Sequence, residues 1–596
     1  MHSATLSLLP VLALVPSSLS APSAGNAQLA TRSVCKGNTA TTRSQWCDFN
    51  IDTDYTNIAP DTGVTREYWL ELTDPILAPD GRPRYTQVIN GTVPGPTLYA
   101  DWGDTVKIHY TNKLTNSTNG TSIHFHGIRQ NYTNSHDGVV SITQCPTPKG
   151  SSYTYTWKAV QYGTSWYHSH FGLQAFEGAF GGIVINGPAT ANYDEDLGTI
   201  TLLDWDKQTA DYWWTYSQTQ AQPSMDNGLI NGTNTFGQEG AAGTTGKRFT
   251  TKFEAGKSYR MRLINAAVDT HFKFSIDNHD MQVIATDLVP VKPFNTSVLS
   301  IAMGKVFVAG HLSSSFDKKL LLTRARRVGQ RYDIIVQANQ QSVAKSFWMR
   351  AKPQSTCSKN TNADNIKGIV YYGDSSAVPT TSSYSYPDNC DDMPASQLVP
   401  HLAKNVGSST YSQAHNVSIS KNDQKLWRWY LNSTSLKLDW GNPTLVQIQN
   451  QMTNYASTDA VFQLEKADEW AYTVIETNFP VSHPIHLHGH DYFILAQGTG
   501  AYNSSVHFNT KNPARRDTAM LPAAGYLVIA FQTDNPGTWL MHCHIGWHAE
   551  QGFALQFVER QNEIPSLTDT SLLNDNCNAW ASYNSAVNVF QDDSGI

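Results

Sequence analysis

The sequence predicts an all-β protein made of several sandwich or barrel domains. Short stretches in which apolar and polar residues alternate recur along the chain, bounded by clusters of Gly, Pro, Asn and Asp. This pattern indicates strands joined by turns, and long amphipathic helical patterns are scarce. The chain has 596 residues, several times the size of one compact domain, so we expect two to four domains rather than a single core.

The predicted strands are regular enough to be placed individually. Tyr259, Met261 and Leu263 alternate with Arg260 and Arg262, which indicates a strand with one apolar face. Comparable stretches occur at 105–110, 470–476 and 526–532. Many short strands with frequent turns favour sandwiches or barrels over other all-β arrangements.

Two distant parts of the chain resemble each other. The segment 163–170, Gly-Thr-Ser-Trp-Tyr-His-Ser-His, matches the segment 537–544, Gly-Thr-Trp-Leu-Met-His-Cys-His. In addition, the strand at 105–110 precedes His-Phe-His, and the strand at 470–476 precedes His-Leu-His. We interpret the N-terminal and C-terminal thirds as related units, whereas the middle third has strands but no such histidine pairs.

Composition excludes some functional classes. The 42 Lys and Arg against 49 Asp and Glu give a net charge of −7, and no basic stripe follows the chain, so nucleic acid is not an expected partner. Hydrophobic residues make up 40% and charged residues only 15%, which excludes a disordered chain and is typical of a secreted glycoprotein.

Features of the N-terminus support export. An apolar run at 6–14, followed by small residues at 17–21, predicts a signal peptide at 1–20, and a short pro-segment could occupy 21–32. No later segment is apolar for long enough to span a membrane. Nine possible N-glycosylation sites accompany this leader, at Asn90, Asn116, Asn119, Asn131, Asn231, Asn295, Asn416, Asn432 and Asn503.

The seven cysteines leave one thiol without a partner if the others form disulfides. Cys543 is the candidate, because it lies within His-Cys-His, where a metal could hold it as thiolate. The other six lie in turn-rich segments suited to disulfides, and the residues alone leave their pairing open.

Histidine distribution is the main chemical signal. Ten of the twenty histidines fall in four clusters: His124 and His126; His168 and His170; His483, His486 and His488; and His542, His544 and His548. Residues i and i+2 of a strand face the same way, so each His-x-His presents two imidazoles to one metal or to a close metal pair. A single such pair occurs on strands without chemical meaning, but four pairs together predict a multi-metal centre.

The same alternation directs Cys543 away from His542 and His544. A metal on the thiolate and a cluster on the flanking imidazoles would therefore be linked by a few covalent bonds. His483 and His548 belong to none of the His-x-His pairs, and with Cys543 they would complete a Cys-His-His site. One thiolate with two imidazoles suits copper in an electron-transfer site; zinc is the competing metal, but it has no redox chemistry that would use this arrangement.

At these motifs the chain resembles the blue multicopper oxidases, and among them the ascomycete laccases. The similarity extends from Cys35 to Ile596. Supporting motifs are Asn-Gly-Thr-Val-Pro-Gly-Pro at 90–96, Arg-Arg-Asp-Thr at 515–518, and the terminal Asp-Ser-Gly-Ile at 593–596, which resembles the C-terminal plug of that group.

The resemblance implies three cupredoxin-like Greek-key β-barrel domains at 33–188, 189–398 and 399–596, with four copper ions. The type 1 copper would take His483, Cys543 and His548, and the type 2 copper His124 and His486. The type 3 pair would take His126, His168 and His544 on one ion and His170, His488 and His542 on the other. The trinuclear cluster would then lie between the first and third domains.

Three further residues acquire roles from the resemblance. Phe553 occupies the axial position of the type 1 site and offers no donor, which predicts a high reduction potential, although it could simply fill space. Asp269 matches the carboxylate that binds and deprotonates phenols near His548, and Asp137 matches the acid that supplies protons at the trinuclear site. Without the family context, an aspartate placed like Asp269 is more often a turn residue, by roughly two to one, and Asp137 is explained as well by a simple Asp-Gly turn.

The family pattern also implies the disulfides Cys35–Cys47, Cys145–Cys577 and Cys357–Cys390. One stretch departs from that pattern. Residues 305–327 interrupt a segment that is continuous in relatives, and they carry six Lys or Arg against one Asp. We interpret this stretch as a translated intron or, alternatively, a surface loop.

The predicted protein is therefore a secreted, monomeric laccase. It would oxidise phenols and aromatic amines and reduce O₂ to water, with no nucleic acid or membrane partner. Other multicopper oxidases are the alternative: ascorbate or bilirubin oxidases more often place Met where Phe553 stands, and ferroxidases are usually membrane-tethered. A copper-binding glycoprotein with an inactive site is the alternative outside the enzymes.

Overall fold

The structure is a computed structural model that describes residues 35–220, 223–301, 329–390 and 392–596. The predicted signal peptide at 1–20, the pro-segment at 21–32 and the interrupting stretch at 305–327 lie outside the described residues. Strands dominate these ranges, and the all-β prediction is confirmed. A search of the same ranges for helices with the length and hydropathy of a membrane span finds none.

The first third of the chain forms two four-stranded sheets. Its strands are β1 (Gln45–Trp46), β2 (Phe49–Asn50), β3 (Thr65–Thr73), β4 (Ile76–Leu77), β5 (Arg84–Tyr85), β6 (Val88–Ile89), β7 (Gly95–Asp101), β8 (Thr105–Asn112), β9 (His124–His126), β10 (Ser152–Lys158), β11 (Gly163–His168) and β12 (Phe180–Asn186). The sheet orders are β10-β8-β3-β6 and β7-β12-β11-β9.

The middle third forms a six-stranded and a five-stranded sheet. Its strands are β13 (Glu195–Trp205), β14 (Asn227–Ile230), β15 (Thr235–Phe236), β16 (Thr245–Gly246), β17 (Thr250–Phe253), β18 (Ser258–Asn265), β19 (Phe272–Ile276), β20 (Met281–Thr286), β21 (Val289–Thr296), β22 (Leu299–Ile301), β23 (Arg331–Gln337), β24 (Ser346–Pro353) and β25 (Lys367–Tyr372). The orders are β14-β13-β18-β23-β20-β21 and β17-β25-β24-β19-β22.

The last third repeats the six-plus-five arrangement. Its strands are β26 (Ser409–Lys421), β27 (Trp427–Leu431), β28 (Val461–Leu464), β29 (Trp470–Thr477), β30 (His483–Leu487), β31 (Tyr492–Thr499), β32 (Arg515–Arg516), β33 (Thr518–Leu521), β34 (Gly525–Gln532), β35 (Gly537–Cys543) and β36 (Ala554–Glu559). The orders are β27-β26-β29-β34-β31-β32 and β28-β36-β35-β30-β33.

Helices are short and lie outside the sheets. They are α1 (Ala210–Ser217), α2 (Thr444–Gln449), α3 (Gly546–Glu550), α4 (Ile564–Leu567) and α5 (Thr570–Val587), with single 3₁₀ turns at Asn134–His136, Gln174–Glu177, Ala363–Asn365 and Ser457–Asp459. α3 matters most for the site, because it follows β35 directly and carries His548.

All three thirds share one pairing pattern. The parallel pairs β3–β8, β13–β18 and β26–β29 occupy equivalent places in the first sheets, and β7–β12, β17–β25 and β28–β36 do so in the second sheets. The middle third is therefore a third copy, although its sequence showed no histidine motif. Each large sheet lies within one of the predicted domain ranges, which supports the boundaries 33–188, 189–398 and 399–596 as a proposal.

Strand periodicity was predicted well in β8 and β29 and incompletely in β18. In the first two, buried and half-buried residues alternate. In β18 every residue is buried, because Arg262 pairs with Asp196 and Arg260 pairs with Asp333. Buried arginines need such carboxylate partners. Because Arg260 and Arg262 have them, the strand face that was expected to be exposed lies inside the protein.

Three disulfides confirm the family-derived pairing, and Cys543 is the free cysteine of the described residues. Cys145–Cys577 spans 432 residues and fastens α5 to the first unit. The chain end returns to the same place, where Gly172 N–H donates to Ile596 at 3.1 Å and Ser141 Oγ donates to Gly595 at 2.7 Å. The first and last thirds are thereby held together.

Candidate metal centre

Eight imidazoles from the first and last units converge in one buried cluster, which we call the histidine cluster. Its members are His124, His126, His168, His170, His486, His488, His542 and His544, all at most 7% exposed. Antiparallel register creates this arrangement locally: β11 places His168 opposite His124, and β35 places His542 opposite His486.

Distances within the histidine cluster suit shared metal ions. The Nε2 atoms of His488 and His542 lie 3.3 Å apart, and His170 joins them in a set whose ligand atoms are all within 4.8 Å of one another. The rings of His126 and His486 stack at 3.9 Å, and His544 lies 4.9 Å from His126. His168 belongs to a similar set with His124 and His126.

Cys543, His483 and His548 form a second, smaller set. The Sγ of Cys543 lies 3.8 Å from Nδ1 of His483 and 3.5 Å from Nδ1 of His548, and the two Nδ1 atoms are 3.2 Å apart. Three donor atoms with this spacing surround a point where one ion fits. The sequence predicts that these two histidines complete the thiolate site, and the fold brings all three side chains together.

The two sets are joined through β35. Cys543 ends this strand and belongs to the smaller set, while His542 and His544, its immediate neighbours, belong to the histidine cluster. Consecutive residues of a strand point to opposite faces, which is how one tripeptide contributes to both sets.

The hydrogen bonds of the rings leave the metal-facing nitrogens available. Nδ1 of His124, His486 and His542 donates to the backbone carbonyls of Asp137, Asp517 and Cys543 at 2.8, 2.8 and 3.0 Å. Nε2 of His124 and His486 is buried without a protein partner. A ring that donates from one nitrogen carries its lone pair on the other, so these buried acceptors fit a copper ion.

Burial opposes protonation of imidazoles in both sets. Burial lowers the pKa of His483 and His542 to about 3. Burial, reinforced by neighbouring imidazoles, also holds the pKa of His126, His170 and His488 well below its usual range. These five rings are therefore neutral ligands at working pH. Burial raises the pKa of the Cys543 thiol, so its thiolate needs an adjacent cation such as a metal ion.

Asp137 touches the histidine cluster directly. Its Oδ2 accepts a 2.8 Å hydrogen bond from Nδ1 of His488, and its Oδ1 lies 3.2 Å from Nδ1 of His124. The side chain is completely buried. The aspartate singled out by sequence therefore orients two rings, each from a different predicted copper ligand set.

Asp517 is a site residue whose role the sequence did not reveal. Its Oδ1 lies 3.3 Å from Nε2 of His126, its carbonyl accepts from His486, and its carboxylate binds the guanidinium of Arg331 at 2.7 and 2.5 Å. Gly127, at φ +73°, allows this approach, because a Cβ there would overlap both Asp517 and Arg331. The only sequence signal was the Arg-Arg-Asp-Thr motif.

Asp269 lies on the loop between β18 and β19, which packs against the Cys543–His548 loop. Gly546 N–H, two residues before His548, points to the carbonyl of Val268 at 3.4 Å. Asp204, which sequence reasoning missed, accepts from the N–H groups of Val268 and Asp269 at 2.8 and 2.9 Å. Burial raises the pKa of Asp204 to about 6. Asp204 thus fixes the loop that presents Asp269.

Phe553 lies against the smaller set, as the sequence implied. Its ring centroid is 4.8 Å from that of His483 and 5.6 Å from that of Trp429, and it is 1% exposed. Trp429 in turn lies 4.6 Å from both His483 and His548. The set is enclosed by aromatic rings and receives no fourth donor from Phe553.

Comparison with known proteins agrees with this geometry. Three family models, each described as multicopper oxidase, match residues 72–190, 196–309 and 431–563. Laccase-2 of Botryotinia fuckeliana is 45% identical over 94% of this chain and 93% of its own length. The crystal structure of a Botrytis aclada laccase superposes with a TM-score of 0.86, at 45% identity over 94% of this chain and 99% of that one.

A more distant solved structure belongs to a protein with a different biological role. Fet3p, a multicopper oxidase that functions in iron import, is 25% identical over 87% of this chain and 95% of its own, with a TM-score of 0.74. The chain therefore shares its fold with oxidases of more than one described role.

Removing the Asp517 carboxylate should weaken copper binding in the histidine cluster. In Asp517→Asn, the anionic partner of Arg331 is lost, and an amide stands beside His126. Loss of such an outer partner costs about 10–100-fold in metal affinity. Copper per chain, measured by plasma mass spectrometry after dialysis against a chelator, should fall while the absorption of the thiolate site remains. Asp374→Asn, at a fully exposed position, is the control. Full copper content in Asp517→Asn would contradict the assignment.

Proposed function

The chain belongs to the multicopper oxidase family, and from this premise we propose that it is a laccase, an enzyme that oxidises phenols and aromatic amines and reduces O₂ to water. The observation that carries the proposal is Cys543, which belongs to one donor set while both its neighbours belong to another. Four one-electron oxidations of ArOH to ArO• and H⁺ balance O₂ + 4e⁻ + 4H⁺ → 2H₂O.

Four copper ions are proposed on the residues that the sequence named. The type 1 ion would use His483, Cys543 and His548, and the type 2 ion His124 and His486; His126, His168 and His544 would hold one type 3 ion and His170, His488 and His542 the other. Support comes from the buried lone pairs and the spacing of these atoms. When bound, copper supplies one-electron redox chemistry at Cys543 and oxygen reduction in the histidine cluster.

The peptide linking the two sets is proposed as the electron path. From Sγ of Cys543, the route follows the backbone to either neighbouring imidazole. A further contact shortens it, because Nδ1 of His542 donates to the carbonyl of Cys543 at 3.0 Å. All three residues are at most 5% exposed, so the path runs through the protein interior.

Asp269 is proposed to bind the phenol hydroxyl and accept its proton. The support is its place on a loop that touches the Cys543–His548 segment, with Asp204 fixing its backbone. A carboxylate at this point removes the proton as the electron leaves, which avoids a high-energy phenol cation.

Asp137 is proposed to hold a proton for oxygen reduction at its carboxylate. Its two oxygens face Nδ1 of His124 and His488, which belong to different proposed ions. The same contacts orient both rings, so Asp137 would serve as positioning residue and proton carrier together.

An extracellular location is proposed with this activity. Three disulfides favour an oxidising compartment, in line with the predicted leader at 1–20.

Oxidation of ferrous iron is the second candidate activity, which the similarity to Fet3p favours. An oxygen electrode separates them: a laccase consumes O₂ with a phenol faster than with ferrous iron, and a protein with an inactive site consumes none.

Replacing the thiol tests the central assignment. In the variant Cys543→Ser, the intense blue absorption of a copper thiolate should disappear, because a hydroxyl is a hard, weakly donating ligand. Copper bound by the histidine cluster should remain, and O₂ consumption with phenols should stop. Retention of the blue band would refute the thiolate site. Circular dichroism checks that the variant folds. If Cys543→Ser loses both its copper and its fold, Cys543→Ala is the second variant, with the same expected result.

Neutralising Asp269 separates proton transfer from electron transfer. For Asp269→Asn we expect kcat/KM with phenols to fall about 100-fold, the usual size of a general-base contribution. Ferrocyanide, which has no proton to lose, should be oxidised at an unchanged rate. An equal loss with both substrates would show that the variant damages the copper site and that the proton-acceptor role is wrong.

Phe553 is proposed to keep the reduction potential of the type 1 site high by withholding a fourth ligand. Phe553→Met introduces a thioether beside His483, which stabilises the oxidised ion, so the potential should fall. Redox titration of the blue absorption measures it. Phe553→Leu, apolar like the native residue, is the matched control and should leave the potential close to its native value. A potential that is unchanged in Phe553→Met would mean that the ring only fills space.

A further inference from the structure

A cavity of about 270 Å³ opens where the first unit and the segment before β26 meet the last unit. None of the ten clustered histidines lines it. Its walls include Arg129 from the loop after β9, Lys404 from the segment before β26, and Trp470, Phe493 and Arg515 from β29, β31 and β32. We call it the interface cavity.

The acidic groups of the interface cavity are all paired. Lys404 lies 3.0 Å from Asp54, and Arg129 lies 3.1 Å from Asp491 and 2.6 Å from Asp534. The remaining titratable residue of the wall, His490, lies 3.2 Å from Glu559, and this contact raises the pKa of His490 against the effect of burial. Asp54 therefore has its own cation, whereas Asp491 and Asp534 share Arg129.

Arg515 differs from these groups. It is 2% exposed, and it takes part in none of these ion pairs. Its Nη2 makes one long hydrogen bond of 3.4 Å to the carbonyl of Leu402, and its Nε is buried without an acceptor. A buried guanidinium with unmet hydrogen bonds is costly, so an anion at this position would be strongly favoured.

Aromatic rings surround that guanidinium. It lies 5.6 Å from the ring of Phe493 and 6.0 Å from the ring of Tyr55. Trp470 meets Phe493 edge to face at 5.3 Å, and Phe531 also lines the cavity. The cavity thus places the guanidinium of Arg515, which has no carboxylate partner among the residues that the structure describes, beside three aromatic side chains in an otherwise polar wall, and its volume exceeds that of a single inorganic ion.

From this combination we propose that the interface cavity binds a small aromatic monocarboxylate. The carboxylate pairs with the guanidinium of Arg515, whose planar fork matches two carboxylate oxygens, and the ring packs against Trp470 and Phe493. The site is separate from the copper ligands and does not depend on the proposed oxidase activity.

Calorimetric titration of the full, copper-loaded protein with benzoate tests the proposal. Benzoate should bind saturably at one site, while acetate, which lacks the ring, and benzyl alcohol, which lacks the charge, should bind at least tenfold more weakly. Equal binding of acetate would reduce the site to an adventitious anion site and overturn the ring recognition. Equal binding of benzyl alcohol, or no binding of benzoate, would overturn the role of Arg515.

Variants of the cavity wall and the crystallographic position of a bound ligand complete the test. Arg515→Gln should weaken benzoate binding at least tenfold. If that variant fails to fold, Trp470→Leu, at the half-buried edge of the cavity, should weaken it as well, and Trp69→Leu, an exposed tryptophan of the first unit, is the matched control with native affinity. Crystals soaked in 4-bromobenzoate should show bromine in the interface cavity. Bromine found only beside Asp269, or unchanged affinity in both cavity variants, would refute the proposal.

Discussion

The alternation of side chains along β35 is the constraint on which the rest of the structure depends. Cys543 must face one donor set while His542 and His544 face another, and both faces must exclude water so that the imidazoles stay neutral. Only a strand covered on both sides meets these conditions. The sheets around β35 and the packing of the first unit against the last bury both faces. The burial of His542, Cys543 and His544 therefore depends on the arrangement of two units.

The middle unit contributes to this arrangement without supplying any of the clustered histidines. Arg331, at the start of β23, holds Asp517 from behind, and Asp517 in turn contacts His126 and His486, which come from the first and last units. Asp204, at the end of β13, fixes the loop of Asp269. This unit, which holds none of the clustered histidines, thus has two tasks: it braces the centre through Arg331 and it carries the loop on which Asp269 lies.

Patterns that depend on neighbouring residues were readable from the sequence, and patterns that depend on distant contacts were not. Two-residue periodicity identified β8, β29 and the pair His124 and His126, because side-chain direction in a strand is a local property. The other three pairs begin on a strand and end just beyond it, at His170, His488 and His544. The third repeat escaped notice because sheet order leaves little trace in residues without a shared chemical task. Arg331 and Asp204 escaped for the same reason: an arginine or aspartate that is buried by partners 186 or 65 residues away reads, in sequence, as a surface residue.

The bond between Cys145 and Cys577 has a consequence for how the molecule matures. The first partner leaves the ribosome 432 residues before the second, whereas Cys35–Cys47 and Cys357–Cys390 span only 12 and 33 residues and can close during synthesis. Until translation is nearly complete, Cys145 must remain reduced or in exchangeable linkages while Cys357 and Cys390 follow it along the chain. Cys543 then emerges only shortly before the correct partner, and its burial in the folded protein removes the competing thiol from oxidative exchange. Correct pairing is therefore a problem of timing, in which an early cysteine has to stay available for a partner that is synthesised 432 residues later.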